Sequence, residues 1–176
     1  MRAAWLAVLI VCATLQPAVA ADPLYREDLR IQAPGAGSRG LEAMLLRPAG
    51  TRRYPLALFS HGAPRDASER AGMSPNSSYH QAVEFARRGF AALIVMRRGY
   101  GNSGGDYAED SGPCGRRDYS IAAKASVSDL RAAIDAMKNR TDVTTNGMIA
   151  VGVSAGGFAT VALTADPPPG LAAAIS

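Results

Sequence analysis

Gly152-Val153-Ser154-Ala155-Gly156 places one hydroxyl between two glycines, and the apolar run Met148-Ile149-Ala150-Val151 leads straight into it. A segment of small, helix-compatible residues, Phe158 to Ala165, follows. Strand, glycine-flanked serine and helix in that order form the pattern G-x-S-x-G, a nucleophile elbow. The glycines answer to crowding: so tight a bend presses neighbouring backbone against the α-carbons of 152 and 156 and holds Ser154 in a strained conformation. The bend projects the Ser154 hydroxyl above the sheet edge. It leaves the Ala155 amide at the helix start, where it can face a developing negative charge. The same residues also read as an ordinary serine N-cap in a glycine-rich turn; the strand before and the helix after favour the elbow.

A hydroxyl is a poor nucleophile without an adjacent base, so histidines and carboxylates come next. His61 closes the apolar run Leu56-Ala57-Leu58-Phe59-Ser60. Three readings stay open for it: a base reaching Ser154 across the top of the sheet, a support for the loop beside it, or a surface histidine. His80 falls in a predicted helix, away from that edge. Asp166 stands twelve residues past Ser154, about 18 Å along a helix and out of reach. Asp106, Glu109, Asp110 and Asp118 crowd one loop, where they suit a substrate amine or a cation, but their spacing fits no Ca²⁺ loop of defined pattern. No metal or cofactor is expected. Arg98 either holds its own loop through a carboxylate or carbonyl, or grips substrate.

The elements that position these groups follow from apolar periodicity. Leu29 to Ala33 and Leu41 to Leu46 read as a hairpin at the start of the sheet, with Asp22 to Arg30 as a polar arm before it. Leu56 to Ser60 and Phe90 to Met96 are nearly all apolar, as strands buried on both faces should be. Ser77 to Arg88 and Ala123 to Arg140 carry helical spacing, the second with Val127, Leu130, Ala133, Ile134 and Met137 on one face. Residues 65 to 76, Arg97 to Ser120 and Asn139 to Asn146 read as loops. Alternating apolar strands and amphipathic helices predict an α/β fold with a mostly parallel sheet covered on both faces. Such sheets bind ligands at the carboxyl ends of their strands, where His61, Arg98 and Ser154 all fall.

Met1 to Ala20 reads as a secretory signal peptide, with Arg2 early, an apolar run from Ala3 to Ala13 and Ala18-Val19-Ala20 as a small-x-small cleavage site. The run is too short to cross a bilayer, so export to the periplasm or exterior is expected rather than membrane insertion. Cys12 has only a partial lipoprotein context, since bulky Val11 precedes it. Without Arg2, 18 Lys and Arg stand against 15 Asp and Glu, a mildly basic +3. The positives form scattered pairs, Arg52-Arg53, Arg87-Arg88, Arg97-Arg98 and Arg116-Arg117, read as solvated surface with local carboxylate contacts; no basic stripe with stacking platforms points to nucleic acid. Cys114 is the one cysteine after the signal, either free and buried or paired outside this sequence. Oligomeric state is left open.

Three segments together resemble the α/β-hydrolases, nearest to secreted members of the dienelactone-hydrolase and prolyl-oligopeptidase-like group. They are Phe59-Ser60-His61-Gly62, the loop Arg98-Gly99-Tyr100-Gly101-Asn102-Ser103-Gly104-Gly105, and the elbow Gly152 to Gly156. The resemblance covers residues 40 to 176 and implies the N-terminal part of such a domain, over 21–176. It implies Ser154 as nucleophile, an oxyanion hole from the amide of Ala155 and that of Gly62 or Ala63, and His61, Arg98, Gly152 and Gly156 in support. Dienelactone hydrolases use cysteine where this chain has Ser154, so the implied substrate is a general small-molecule ester or a short peptide. In that family the acid and then the histidine follow the nucleophile. The 22 residues after Ser154 hold no histidine and a single carboxylate, Asp166. The sequence therefore reads as a fragment, with acid and base expected beyond residue 176.

Overall fold

The structure, a computed structural model, describes residues 23–176; the signal-peptide reading of 1–20 and Cys12 lie outside them. Six strands form one sheet: β1 Leu24–Ile31, β2 Leu41–Pro48, β3 Tyr54–Ser60, β4 Ala91–Val95, β5 Val143–Gly152 and β6 Leu171–Ile175. Their spatial order is β1-β2-β4-β3-β5-β6. The first two pairings, β1 with β2 and β2 with β4, are antiparallel, while β4, β3, β5 and β6 run parallel. Among the described residues three α-helices, α1 Tyr79–Arg87, α2 Tyr119–Lys138 and α3 Ala155–Leu163, cover it.

The near-continuous apolar strands are explained by two cores, one on each face. Ala43, Leu45, Leu56, Leu58, Leu93 and Val95 pack toward Leu130, Ile134 and Met137 of α2 and Ala159 and Leu163 of α3. Their immediate neighbours Met44, Leu46, Ala57, Phe59, Ala92 and Ile94 point the other way, toward Ala82 and Ala86 of α1. Successive strand residues alternate faces, so a run must be apolar throughout when both faces are roofed.

Register then sets the site. Ser60, the last residue of β3, pairs with Val95 of β4 on one side and Gly152 of β5 on the other. Three chain segments, beginning at His61, Met96 and Val153, therefore leave the sheet at one level. That level is the carboxyl edge of the parallel strands.

Four expectations need correcting. Leu24 to Arg30 is no arm; it belongs to β1, paired along its whole length with β2 from Leu24↔Pro48 to Ile31↔Leu41. Its charges hid it, and at a sheet edge such charges suit an exposed strand that discourages further pairing. α2 starts at Tyr119 rather than Ala123, because the Asp118 side chain accepts from Ser120 N–H at 2.9 Å and caps it. β5 starts at Val143, inside the predicted turn, and Gly147 at φ 76° lets it continue. Cys114 is free and exposed, not buried; Arg117 Nη2 donates to its Sγ at 3.3 Å and lowers the thiol pKa.

Candidate active site

Ser154 is the one non-glycine among the described residues with positive φ, at 54° with ψ −121°. It is exposed, and it occupies the N-cap position of α3 without its side chain making a cap hydrogen bond. The hydroxyl is thus free for chemistry, which separates this bend from an ordinary serine cap. The glycines on either side are sterically required. A β-carbon on Gly152 would collide with Gly156 O, and one on Gly156 with Ser60 O, so the elbow is wedged against the end of β3. The Ala155 amide lies in the first turn of α3, where a helix leaves its N–H groups unpaired.

The turn after β3 comes up beside it. A β-carbon on Gly62 would lie 3.3 Å from Ser154 Cβ and 3.9 Å from its Oγ. Gly62 therefore admits the serine as closely as backbone allows. His61 is 2% exposed, and both ring nitrogens are engaged. Nε2 accepts from the Arg97 main-chain N–H at 3.1 Å, which leaves the proton on Nδ1 to donate to Gly62 O at 2.7 Å. Burial, with the Arg97 charge beside it, lowers the His61 pKa to about 3. A ring so occupied and so weakly basic is no base for Ser154. His80 is exposed on α1, which packs on the face opposite α2 and α3. Asp166 pairs with Arg131 of α2 at 2.7 Å.

Arg98 turns away from Ser154. Its Nε donates to Asp129 Oδ1 at 2.7 Å, its main-chain N–H to Oδ2 at 2.9 Å and its Nη2 to Ala125 O at 3.2 Å. It anchors the loop to α2, and burial pushes the Asp129 carboxyl up despite these bonds. The loop is also fastened to β2: Ser103 Oγ donates to Met96 O at 2.7 Å and accepts from Glu42 N–H at 2.8 Å.

Sequence reasoning missed Arg97. Read as a surface charge, it is 0% exposed and pairs with Glu109. Its one signal was position: a charge directly after a buried strand sits at the same level as His61 and Ser154. Glu109, grouped with the loop carboxylates that suit a substrate amine or a cation, is buried and lines a cavity of about 270 Å³ beside Ser154 and Ala155. Tyr107, Tyr119 and Phe158 form much of its remaining wall, and the last two rings lie 6.2 Å apart. Among the described residues no three His, Cys, Asp or Glu side chains gather as a metal ion would need, and no helix is long and apolar enough to cross a membrane.

A mixed sheet, parallel at its centre and roofed by helices, with a strained serine between strand and helix at its carboxyl edge, defines the α/β-hydrolase class. Within that class the chain belongs to the X-Pro dipeptidyl-peptidase family (S15 family), whose sequence model matches residues 37–176. No curated protein sequence matches it. Among solved structures it is similar to an aminopeptidase from a marine sediment archaeon, Thaumarchaeota archaeon (21% identity, TM-score 0.56, covering 96% of this chain and 27% of that one). It is also similar to an α-amino acid ester hydrolase (21%, 0.54, 93% and 27%). A third is a putative dipeptidyl aminopeptidase IV from Bacteroides ovatus (18%, 0.61, 86% and 20%). These likenesses establish the fold. The chain spans 20% to 27% of the length of these three proteins.

Proposed function

We propose that the protein is a serine hydrolase that cleaves carboxylic esters through an acyl-enzyme on Ser154. The observation that carries this reading is the uncapped, exposed hydroxyl of Ser154 at φ 54°, set against the Gly62 turn. The Ser154 hydroxyl attacks the acyl carbonyl, and the oxyanion is received by the Ala155 amide and by that of Gly62 or Ala63. The alcohol leaves, water attacks the acyl-serine, and the carboxylic acid departs. Neither His61 nor His80 is placed to serve as base, so the histidine and its carboxylate belong to a segment beyond residue 176. Gly152 and Gly156 permit the bend, and His61 and Arg98 support the flanking loops. Residues 1–20 direct export, with the mature chain beginning at Ala21.

Esters are favoured over peptides by the state of Glu109. A pocket for a peptide's terminal ammonium needs a carboxylate with charge to spare, and the Glu109 charge is already matched by Arg97. Family membership supports the second reading, a peptidase. Ser154→Ala in the full-length protein should lower hydrolysis by about 10⁴-fold or more while the circular dichroism spectrum is unchanged. Normal turnover by that variant would exclude Ser154 as nucleophile. Short acyl esters assayed beside peptide amides with free N-termini decide between the two substrates.

A further inference from the structure

Arg97 makes an unusual set of contacts for a residue that no step of the proposed chemistry uses. A guanidinium has five N–H donors and no acceptor. Enclosed in protein, it is located by the lone pairs it serves. Nε and Nη2 donate to Glu109, the latter at 3.2 Å to Oε2, which also accepts from the Tyr100 hydroxyl at 3.2 Å. Everything else Arg97 offers goes to the last residue of β3 and the one after it. Nη1 donates to Ser60 Oγ at 2.7 Å and to His61 O at 2.8 Å, and the main-chain N–H donates to His61 Nε2. Among the described residues no other side chain outside the turn bonds to it.

Two of those contacts fix amide directions. A trans peptide is planar, so the N–H points opposite to the preceding C=O. By holding His61 O, Arg97 Nη1 aims the Gly62 N–H. By setting the imidazole through Nε2, the Arg97 main chain makes Nδ1–H hold Gly62 O, and that aims the Ala63 N–H. Either amide that could face the oxyanion is therefore oriented through Arg97. We infer that Arg97 is a positioning residue for the oxyanion turn, clamping Ser60 and His61 from the segment just after β4 while Glu109, on the cavity wall beside Ser154, clamps Arg97. The inference rests on the serine-hydrolase reading and adds the group that holds its oxyanion hole in place.

Preorganised donors act on the transition state and hardly on ground-state binding, and loss of one costs roughly 10²-fold or more in kcat. The test uses the full-length protein. The double variant Arg97→Met/Glu109→Leu removes the clamp without stranding a charge, and Ser60→Ala removes one acceptor at minimal risk to folding. Each is titrated to completion with a fluorophosphonate probe, so that kcat is expressed per labelled serine. The double variant should label to the parental stoichiometry yet show kcat lower by about 10²-fold, with KM within about twofold. Ser60→Ala should fall a few-fold in the same sense, and affinity for a boronic acid that forms a tetrahedral serine adduct should fall in parallel. Arg97→Lys, which keeps the charge but lacks the planar fork, should restore little of the rate.

Parental kcat per labelled serine in both Ser60→Ala and the double variant would overturn the positioning role and leave Ser154 as nucleophile. So would a rise in KM at constant kcat. If the double variant does not fold, Ser60→Ala alone decides. A parent protein that neither labels at Ser154 nor turns over would remove the hydrolase reading and this inference together.

Discussion

β3 and β5 end side by side, at Ser60 and Gly152, but the two bends that follow them are held by opposite means. The elbow is held by crowding. Gly152, Gly156 and Ser60 interlock backbone to backbone, no ion pair among the described residues touches residues 152 to 157, and the side chains around the bend are exposed and apolar, with Val153 63% and Phe158 41% exposed. The turn at 60 to 62 is held by charge, through a buried arginine just after β4 and a buried glutamate from the loop that follows. Steric wedging leaves a mark that is local in sequence, two glycines flanking Ser154, although its contact reaches across to Ser60, and it is indifferent to pH. Ionic clamping spans 36 or 37 residues between Arg97 and the turn and carries a desolvation cost that only matched partners offset.

The largest effect should come from unmatching the charges. Glu109→Ala leaves Arg97 buried without a counter-ion, and breaking a buried pair in this way costs about 3–5 kcal/mol of stability. The double replacement Arg97→Met/Glu109→Leu should recover most of that loss, because apolar residues of similar volume often replace a buried pair at little cost. Urea unfolding of both variants beside the parent measures the contrast. Equal stability of the single and double variants would mean that loop packing, not charge, holds this side.

On the steric side the corresponding change is Gly156→Ala. A single methyl must displace Ser60 O, and overpacking a rigid site costs about 1–3 kcal/mol. No second substitution offers a simple remedy here, since the obstacle is backbone. Unfolding curves of Gly156→Ala and Glu109→Ala in low and high salt test that both contacts are shielded from solvent. Neither loss should be removed by salt, because screening acts weakly on buried pairs. An unperturbed Gly156→Ala would show that β3 and the elbow are not wedged.

The same division explains what was legible in the sequence. Crowding at the elbow compels glycine at two positions within five residues, so Ser154 stands out once the strand before it and the helix after it are read. The parallel core is legible because strands roofed on both faces must be apolar throughout, as Leu56 to Ser60 and Phe90 to Met96 are. β1 was hidden because an edge strand tolerates Arg26, Glu27, Asp28 and Arg30, and charge masks period-two alternation. Arg97 and Glu109 were hidden because a buried ion pair is a relation between two residues, each of which alone has the composition of surface. Only the fold, by ending β4 level with β3, turns Arg97 toward Ser60 while Arg98 turns to Asp129 of α2.

The last contrast separates the two sides by pH. His61 has a pKa of about 3 in the folded protein against 6.5 for a free histidine, lowered first by burial and then by the Arg97 charge. Between those values the unfolded chain holds a proton that the folded one does not, so stability rises with pH across this window. Read downward, this contribution is complete above pH 6.5 and declines as pH falls toward 3, with a slope of at most about 1.4 kcal/mol per pH unit. Protonation in the fold would turn Nε2 from acceptor to donor against the Arg97 N–H and set a second positive charge beside the guanidinium. His61→Gln removes the titration, so the stability difference between parent and variant should shift in the variant's favour as pH is lowered from 6.5 to 4. Gly156→Ala should keep a constant offset from the parent over that range. Parallel curves for His61→Gln and parent would mean that His61 is not held as a neutral acceptor for Arg97, and the charge-held side of the comparison would lose its link to the turn.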